Sequence, residues 1–235
     1  MDIVETLAEA ESGLTVSEIA SRLHRPMSEL FRIVVVMQRR GWLQKDPDSG
    51  RYSVTYHVLR LAHRSTPSLA LTSAAAPVMH ELSIRINQSC HLVVRSGVEG
   101  LVILRQENQR RHANLSVRAG SIIDLSTSCS GLVILAHLDA GELDRALPRG
   151  KKDSRLMSTL ARIRKRGYEM HRSPITPGVT DIGCPVFGFD GKVVAAITVP
   201  YLHVLDNSVT MTTDQTRRHI EQATRRISQS LGWKA

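Results

Sequence analysis

The first 45 residues consist of short amphipathic stretches separated by turn residues. Residues 2–10 predict a short helix with one apolar face, and Thr15 followed by Glu18 is the capping-box signature of a second helix. Pro26 suits the first position of a third helix. Its apolar residues repeat at the i, i+3, i+4, i+7 spacing of a buried helical face: Leu30, Ile33, Val34 and Met37.

A predicted hairpin follows these helices. The turn-rich run 46–50 lies between two short segments, 42–45 and 51–54, that have strand character. Three helices and a hairpin predict a winged helix-turn-helix over residues 1–54. A linker helix is predicted over residues 55–67, with a break at Thr66-Pro67, so we expect a second domain at 68–235.

The pattern of the second domain mixes helices and strands, which predicts an α+β fold. We expect helices at about 70–87, 131–138, 142–147, 154–166 and 213–231. We expect strands at 90–96, 101–106 and 114–117, and a hairpin formed by 182–189 and 192–199.

The charge distribution points to a polyanionic partner. The formal net charge is +9, and residues 22–64 contain nine lysines and arginines against three acidic residues. A basic surface confined to one part of a small domain is the electrostatic footprint of a nucleic-acid-binding protein.

Other classes of protein fit less well. No stretch approaches the ~18 apolar residues of a membrane span, and the N-terminus carries acids where a signal peptide has bases. The three scattered cysteines do not make a disulfide framework, so we expect a cytoplasmic protein.

The predicted recognition helix supplies candidate DNA contacts, because base contacts come from its first turns. Arg32 is suited to guanine or phosphate, and Glu29 can accept a hydrogen bond from a cytosine amine. The full set of candidates in the helix-turn-helix and the wing is Arg25, Met27, Ser28, Glu29, Phe31, Arg32, Lys45 and Arg51. The same architecture also occurs in domains that bind only protein, and this alternative stays open.

Several segments resemble the IclR family of bacterial regulators. In the first domain these are 15–20 (TVSEIA), 26–32 (PMSELFR), 41–43 (GWL) and 52–54 (YSV). In the second they are 129–136 (CSGLVILA), 164–168 (RKRGY), 183–186 (GCPV) and 191–199 (GKVVAAITV). The resemblance covers nearly the whole chain in the right order.

The resemblance implies a GAF-like effector-binding domain with a central antiparallel sheet, no cofactor, and assembly as a homodimer or homotetramer. Its implied partners are a pseudo-palindromic double-stranded DNA operator and a small effector, such as a carboxylic acid or an aromatic or sugar-acid metabolite. The chain departs from the family at Ser28-Glu29, at Phe31 and at Leu132-Val133, which affects the operator sequence and the pocket wall.

By position, the resemblance places the effector pocket at the start of the helix near Gly131, around Asp181 and on the strand with Thr198. The implied residues are Cys129, Ser130, Gly131, Leu132, His171, Asp181, Ile182 and Thr198. The helix start offers unpaired N–H groups and a positive dipole end, which suits an anion. Structural roles stay open: the serines and threonine at 126–128 can cap the helix, Cys129 can fill the core, and Asp181 can cap a turn.

Three other hypotheses rest on fewer residues. An enzyme would need Cys129 paired with His91 or His171, and no nucleophile motif supports this, so we predict no catalysis. A metal- or redox-responsive regulator would use Cys129, His171 and Cys184, with Cys90 and His91 as further candidates, although no tight ligand spacing occurs. A basic cluster at 145–166 is either a second nucleic-acid surface or a solvated helical face.

Overall fold

The computed structural model describes residues 2–65, 68–108, 115–147, 152–203 and 211–234. The chain divides into two compact units, Met1–Leu69 and Ala70–Ala235. The predicted break at Thr66-Pro67 lies outside the described residues, and the observed division falls just after it.

The first unit is a winged helix-turn-helix. Its elements are α1 (Asp2–Ala8), α2 (Val16–Leu23), α3 (Met27–Arg39), β1 (Leu43–Lys45), β2 (Tyr52–Val54) and α4 (His57–Ser65). β1 and β2 pair antiparallel as the wing. His24, with φ 51°, ends α2 in the left-handed region, and Pro26 is the N-cap of α3 rather than its first residue.

The core of this unit lies where α1, α2 and α3 meet the wing, and it includes Ile19, Leu30 and Tyr52. Leu30 and Val34 are fully buried on α3, and Met37 is partly buried, as the apolar spacing predicts. Ile33 is an exception, because its side chain is 39% exposed. The buried face of α3 is therefore narrower than the sequence pattern suggests.

The second unit is built on an antiparallel sheet. Its strands are β3 (Cys90–Ser96), β4 (Glu99–Gln106), β5 (Ile122–Asp124), β6 (Glu169–Arg172), β7 (Val179–Phe187) and β8 (Val193–Leu202). They lie in the order β5-β4-β3-β8-β7-β6. The helices are α5 (Ser68–Ile86), α6 (Cys129–His137), α7 (Ala140–Ala146), α8 (Ser154–Arg166) and α9 (Thr213–Ser230).

Helices cover both faces of this sheet. On one face α5 and α9 pack against alternate strand residues such as Ile182, Cys184 and Ile197. On the other face α6, α7 and α8 pack against Val93 and Ala196. Because strand side chains alternate between the faces, neighbouring residues of β7 and β8 belong to different cores.

Two strand predictions need correction. Residues 115–117 form no strand, and Asn114 lies outside the described residues. The strand that pairs with β4 is β5 instead, through Gly100 opposite Ile123. The sequence analysis also missed β6, the edge strand next to β7.

Candidate DNA interface and effector site

The exposed face of α3 carries the predicted DNA-reading residues. Met27, Ser28, Glu29, Phe31 and Arg32 are all exposed, and Phe31 is 54% accessible although it is aromatic. Among the described residues Arg32 has no ion-pair partner, so its guanidinium remains available for a base or a phosphate. An exposed phenylalanine beside a free arginine suits contact with the thymine methyl group and guanine.

Arg25 and Glu29 are coupled across the turn before α3. The Arg25 guanidinium donates a hydrogen bond to Glu29, and its second partner is Asp2 at 3.7 Å. The hydrogen bond from Arg25 holds Glu29 in one orientation at the start of the recognition helix.

Arg51, named above as a candidate DNA contact, has a structural role within the first unit. Its guanidinium donates to both carboxylate oxygens of Glu18 at 2.9 Å and to the carbonyl oxygen of Gly13 at 2.9 Å. Glu18 also accepts from the Thr15 N–H at 2.7 Å, completing the capping box of α2. The backbone N–H of Thr15 and then Arg51 lower the pKa of Glu18. Arg51 therefore joins the wing to α2.

Lys45 is the remaining wing candidate, and it is exposed. Its ammonium lies 5.7 Å from the centroid of the Tyr52 ring, which is within cation–π range. The wing tip carries two carboxylates, Asp46 and Asp48, and Asp46 accepts hydrogen bonds from the N–H groups of Asp48 and Ser49. Lys45 is the last residue of β1 and pairs with Tyr52, so a phosphate approaching Lys45 also approaches these carboxylates.

In the second unit, a row of residues crosses four strands on the face that α6 covers. Glu169 pairs with Gly183, Gly183 with Thr198, and Thr198 with His91. Two residues along β7, Asp181 pairs with His171 of β6. Residues in register on neighbouring strands point to the same face, so these side chains share one surface.

Gly183 marks the closest approach of α6 to this row. A Cβ atom at Gly183 would lie 3.0 Å from the Cys129 sulfur, 3.2 Å from the Thr198 hydroxyl oxygen and 3.3 Å from Val133. The Cys129 thiol points to the Glu169 carbonyl at 3.7 Å. The absence of a side chain at Gly183 thus lets the sulfur and the hydroxyl converge.

Asp181, His171 and Glu169 are titratable side chains that lie close together where β7 meets the edge strand β6. Burial raises the pKa of Asp181, while the Ser173 hydroxyl and the nearby His171 oppose the shift. The Glu169 carboxylate is buried and lies 2.6 Å from Arg166 and 3.3 Å from His171. Burial works to raise the pKa of Glu169, but His171 and the arginine charges outweigh it, so the pKa is lowered.

The start of α6 is partly occupied by its own cap. The Ser128 hydroxyl accepts from the Gly131 N–H at 3.1 Å, so Ser128 caps the helix, as one of the open alternatives held. A Cβ at Gly131 would lie 2.4 Å from the Leu125 backbone, which requires glycine there. Two further residues of α6 are buried: Leu132 packs in the core between α6 and the sheet, and Ser130 is also buried.

Ile182 does not share the surface of Asp181. It lies between Asp181 and Gly183 on β7, and its side chain packs in the core beneath α5 and α9. The two-residue period of a strand sends it to the opposite face. Ile182 therefore does not line the α6-facing surface, where the pocket was predicted.

Comparison with known proteins gives this architecture a family. Residues 1–47 match the family description "IclR helix-turn-helix domain", and residues 63–229 match "Bacterial transcriptional regulator IclR C-terminal". The second match alone covers more than half of the chain. This chain belongs to the IclR family of bacterial transcriptional regulators.

Individual IclR-family proteins are similar over most of their length. The transcriptional regulator XynR of Escherichia coli (strain K12) is 25% identical, covering 100% of this chain and 96% of its own. The repressor AllR of Salmonella typhi is also 25% identical, over 84% of this chain and 76% of its own. These relatives are named as regulators of transcription, a class without enzymatic activity.

A solved structure has the same fold as this chain, at the same sequence identity as the relatives above. An IclR homologue from Microbacterium hydrocarbonoxydans, crystallised with 4-hydroxybenzoate, superposes with a TM-score of 0.80 at 25% identity. The match covers 98% of this chain and 96% of the homologue. The winged helix and the antiparallel sheet of this IclR-family chain therefore match the fold of this homologue.

The cysteines of this IclR-family regulator give no support to metal or redox sensing. Cys90, Cys129 and Cys184 are buried, and burial raises the pKa of each thiol, to about 12 for Cys90. Cys184 packs in the core on the side away from Cys129 and His171. Within the described ranges, no group of three metal-ligating side chains comes together.

Some basic side chains of the cluster at 145–166 bind other parts of the second unit, and others are exposed. Arg164 donates to the carbonyl oxygens of Ala136 and Leu138 at the end of α6, and Arg166 pairs with Glu169. Arg155 and Lys165 are exposed, whereas Arg149 and Lys151 lie outside the described residues.

Over the portion of the chain that is described, no helix is long and apolar enough to span a membrane.

Proposed function

We propose that this IclR-family regulator binds its operator as a dimer and that a small organic acid, bound on the α6-facing side of the sensor sheet, controls that binding. The observation that carries the effector part is the convergence of the Cys129 sulfur and the Thr198 hydroxyl at Gly183, next to the half-buried Asp181. Ligand sites combine apolar walls with a few convergent polar groups, and here the polar groups lie beside Val93, Val133 and Ala196 of the core on the same face.

Operator recognition follows from the exposed face of α3. A two-fold dimer presents two recognition helices, so the operator is a pseudo-palindrome with half-sites about one helical turn apart or a multiple of it. Arg32 reads a base or holds a phosphate, and Met27, Ser28 and Phe31 line the same face. Lys45 contacts the sugar-phosphate backbone from the wing.

An acid is the favoured effector class for two reasons. Among the described residues, the first-turn N–H groups of Cys129 and Ser130 have no acceptor, and a helix start attracts negative charge. The homologue from Microbacterium hydrocarbonoxydans was crystallised with 4-hydroxybenzoate, which is an aromatic acid. Coupling between effector and operator is reciprocal and typically amounts to ~1–3 kcal/mol.

A binding map followed by titration tests this proposal. Chromatin immunoprecipitation of the chain identifies its operators, and fluorescence anisotropy then measures their affinity with and without organic acids. We expect a symmetric footprint and a change in affinity of about 5- to 150-fold with the cognate acid. If symmetric sites are bound but no acid changes the affinity, the effector class is wrong and the DNA-binding part stands.

A further inference from the structure

Two polar atoms on the α6-facing surface have no hydrogen-bond partner among the described residues. They are Nδ1 of His91 and Oγ1 of Thr198. Both side chains are almost completely buried, with 6% and 2% of their surface exposed. Burying a polar group without a partner costs free energy, so such groups are rare in native proteins and each asks for an explanation.

The two atoms are neighbours. His91 of β3 and Thr198 of β8 are directly opposite each other in the antiparallel ladder, so both side chains project from the same face. The Thr198 hydroxyl and the Cys129 sulfur both lie beside Gly183, 3.2 Å and 3.0 Å from where a Cβ atom of that residue would be. The unpartnered pair therefore lies at the site proposed above for the effector.

The charges around His91 and Thr198 determine which kind of ligand group the two side chains can bind. Burial lowers the pKa of His91 to about 4, so its imidazole is neutral at pH 7 and offers one donor and one acceptor. The negative charges of Asp181 and Glu169 act on Cys129, where they add to the burial that raises its pKa. A carboxylate is unfavourable here, whereas a hydroxyl can both donate and accept, and a carbonyl oxygen can accept from the Thr198 hydroxyl or from His91.

We infer that His91 and Thr198 together bind a neutral oxygen atom of the effector, a hydroxyl or a carbonyl, and so select an oxygenated acid over the plain acid of the same skeleton. This inference rests on the proposed function, because it assumes an organic acid at this site. It makes His91 a specificity-determining residue. The carboxylate of the ligand then lies away from the pair, towards the N–H groups at the start of α6.

Two matched pairs of acids serve as probes for the full-length chain: 4-hydroxybenzoate with benzoate, and lactate with propionate. Isothermal titration calorimetry measures each affinity for the wild type and for Thr198→Val and His91→Leu. We expect the wild type to prefer the oxygenated acid of at least one pair. Each variant should lose about ten- to hundredfold in affinity for that acid and clearly less for its plain counterpart, so that the preference shrinks or disappears.

Thr216→Val is the control variant. Thr216 is also fully buried with an unpartnered hydroxyl, but it lies on α9, which packs against the opposite face of the sheet. We expect this change to leave the preference intact. Thermal unfolding checks the folds: Thr198→Val should be at least as stable as the wild type, because it removes an unsatisfied polar group without changing volume.

The outcomes separate the two proposals. If the acids bind and Thr198→Val and His91→Leu keep the wild-type preference, the inference about the pair is wrong and the organic-acid effector stands. If wild type binds plain and oxygenated acids equally, the inference is also overturned. If no acid of either pair binds the wild type, both the proposed effector class and the inference that depends on it are refuted.

Discussion

Arg51 and Glu18 form a two-pronged ion pair between the wing and the second helix, with both N–O distances at 2.9 Å. The same Glu18 carboxylate closes the capping box with Thr15, so one side chain serves the helix start and the wing together. Bidentate arginine–carboxylate pairs fix geometry as well as adding stability. The pair therefore sets where the wing lies relative to the helix-turn-helix.

Replacing Arg51 should affect the fold of the DNA-binding unit rather than a single phosphate contact. We expect Arg51→Ala to lower the thermal unfolding midpoint by a few degrees, whereas Lys45→Ala should leave it unchanged and weaken operator binding. Because the pKa of Glu18 is lowered, the stability from the pair is present above the unfolded-state pKa and is lost as pH falls through the folded value. Equal midpoints for wild type and Arg51→Ala would contradict this role.

Arg32 should be the largest single contributor among the arginines of α3. We expect Arg32→Ala to cost about 1–3 kcal/mol of operator affinity if the side chain reads a base. Arg39→Ala, an exposed change at the other end of the same helix, is the control and should cost little. Fluorescence anisotropy on one operator duplex measures both, and unchanged affinity for Arg32→Ala would remove this residue from the interface.

The sequence predicted elements well where one periodicity dominates. Leu30 and Val34 identified the buried face of α3, and the apolar runs 182–189 and 192–199 identified the hairpin that β7 and β8 form. The edge strand β6 was missed because its residues, Glu169 to Arg172, are mostly polar, and their burial comes from ion pairs that only the folded chain forms.

Side-chain roles in the site were harder to predict. Asp181 and Ile182 are adjacent in sequence but their side chains point to opposite faces of the sheet. Only the register of β7 with its neighbours shows which residue points to which face. The sequence made Arg51 a candidate DNA contact and could not show its ion pair with Glu18, because the two residues are 33 positions apart. His91 was a candidate ligand for metal or catalysis, and nothing in the sequence showed that it lies opposite Thr198.

The second compact unit should fold without the first. Because the compact units divide between Leu69 and Ala70, we expect a fragment of residues 68–235 to be soluble and cooperatively folded, and to bind effector but no DNA. Circular dichroism and thermal unfolding of the fragment check this. An insoluble fragment beside a well-behaved full chain would contradict the two-domain organisation.

The buried Glu169 should be important for stability, unlike an exposed carboxylate with a similar partner. Glu169→Gln leaves Arg166 without its charge partner, and we expect a cost of about 1–3 kcal/mol. Glu81→Gln breaks the exposed pair with Arg226 and should change the midpoint little. Since the pKa of Glu169 is lowered, its contribution disappears as pH falls through the folded value, so the difference between wild type and Glu169→Gln should narrow in acid.

Asp181 should show the opposite pH dependence, because burial raises its pKa. Its ionised form is less favourable in the folded chain than in the unfolded chain, so stability decreases as pH rises from the unfolded pKa to the folded one. We therefore expect Asp181→Asn to be more stable than the wild type at pH 7, with the difference vanishing at a pH below both values. Denaturant unfolding across this range measures the effect.

Binding measurements on Asp181→Asn and Asp181→Leu test whether Asp181 also contacts the effector. If Asp181 accepts a hydrogen bond from the effector, Asp181→Asn keeps an acceptor oxygen and should bind nearly as well, whereas Asp181→Leu should lose the ligand. Calorimetry with the acid that binds the wild type compares the two variants directly. Wild-type affinity in Asp181→Leu would show that this carboxylate only shapes the sheet edge with His171 and Ser173, and that the effector lies elsewhere on the face.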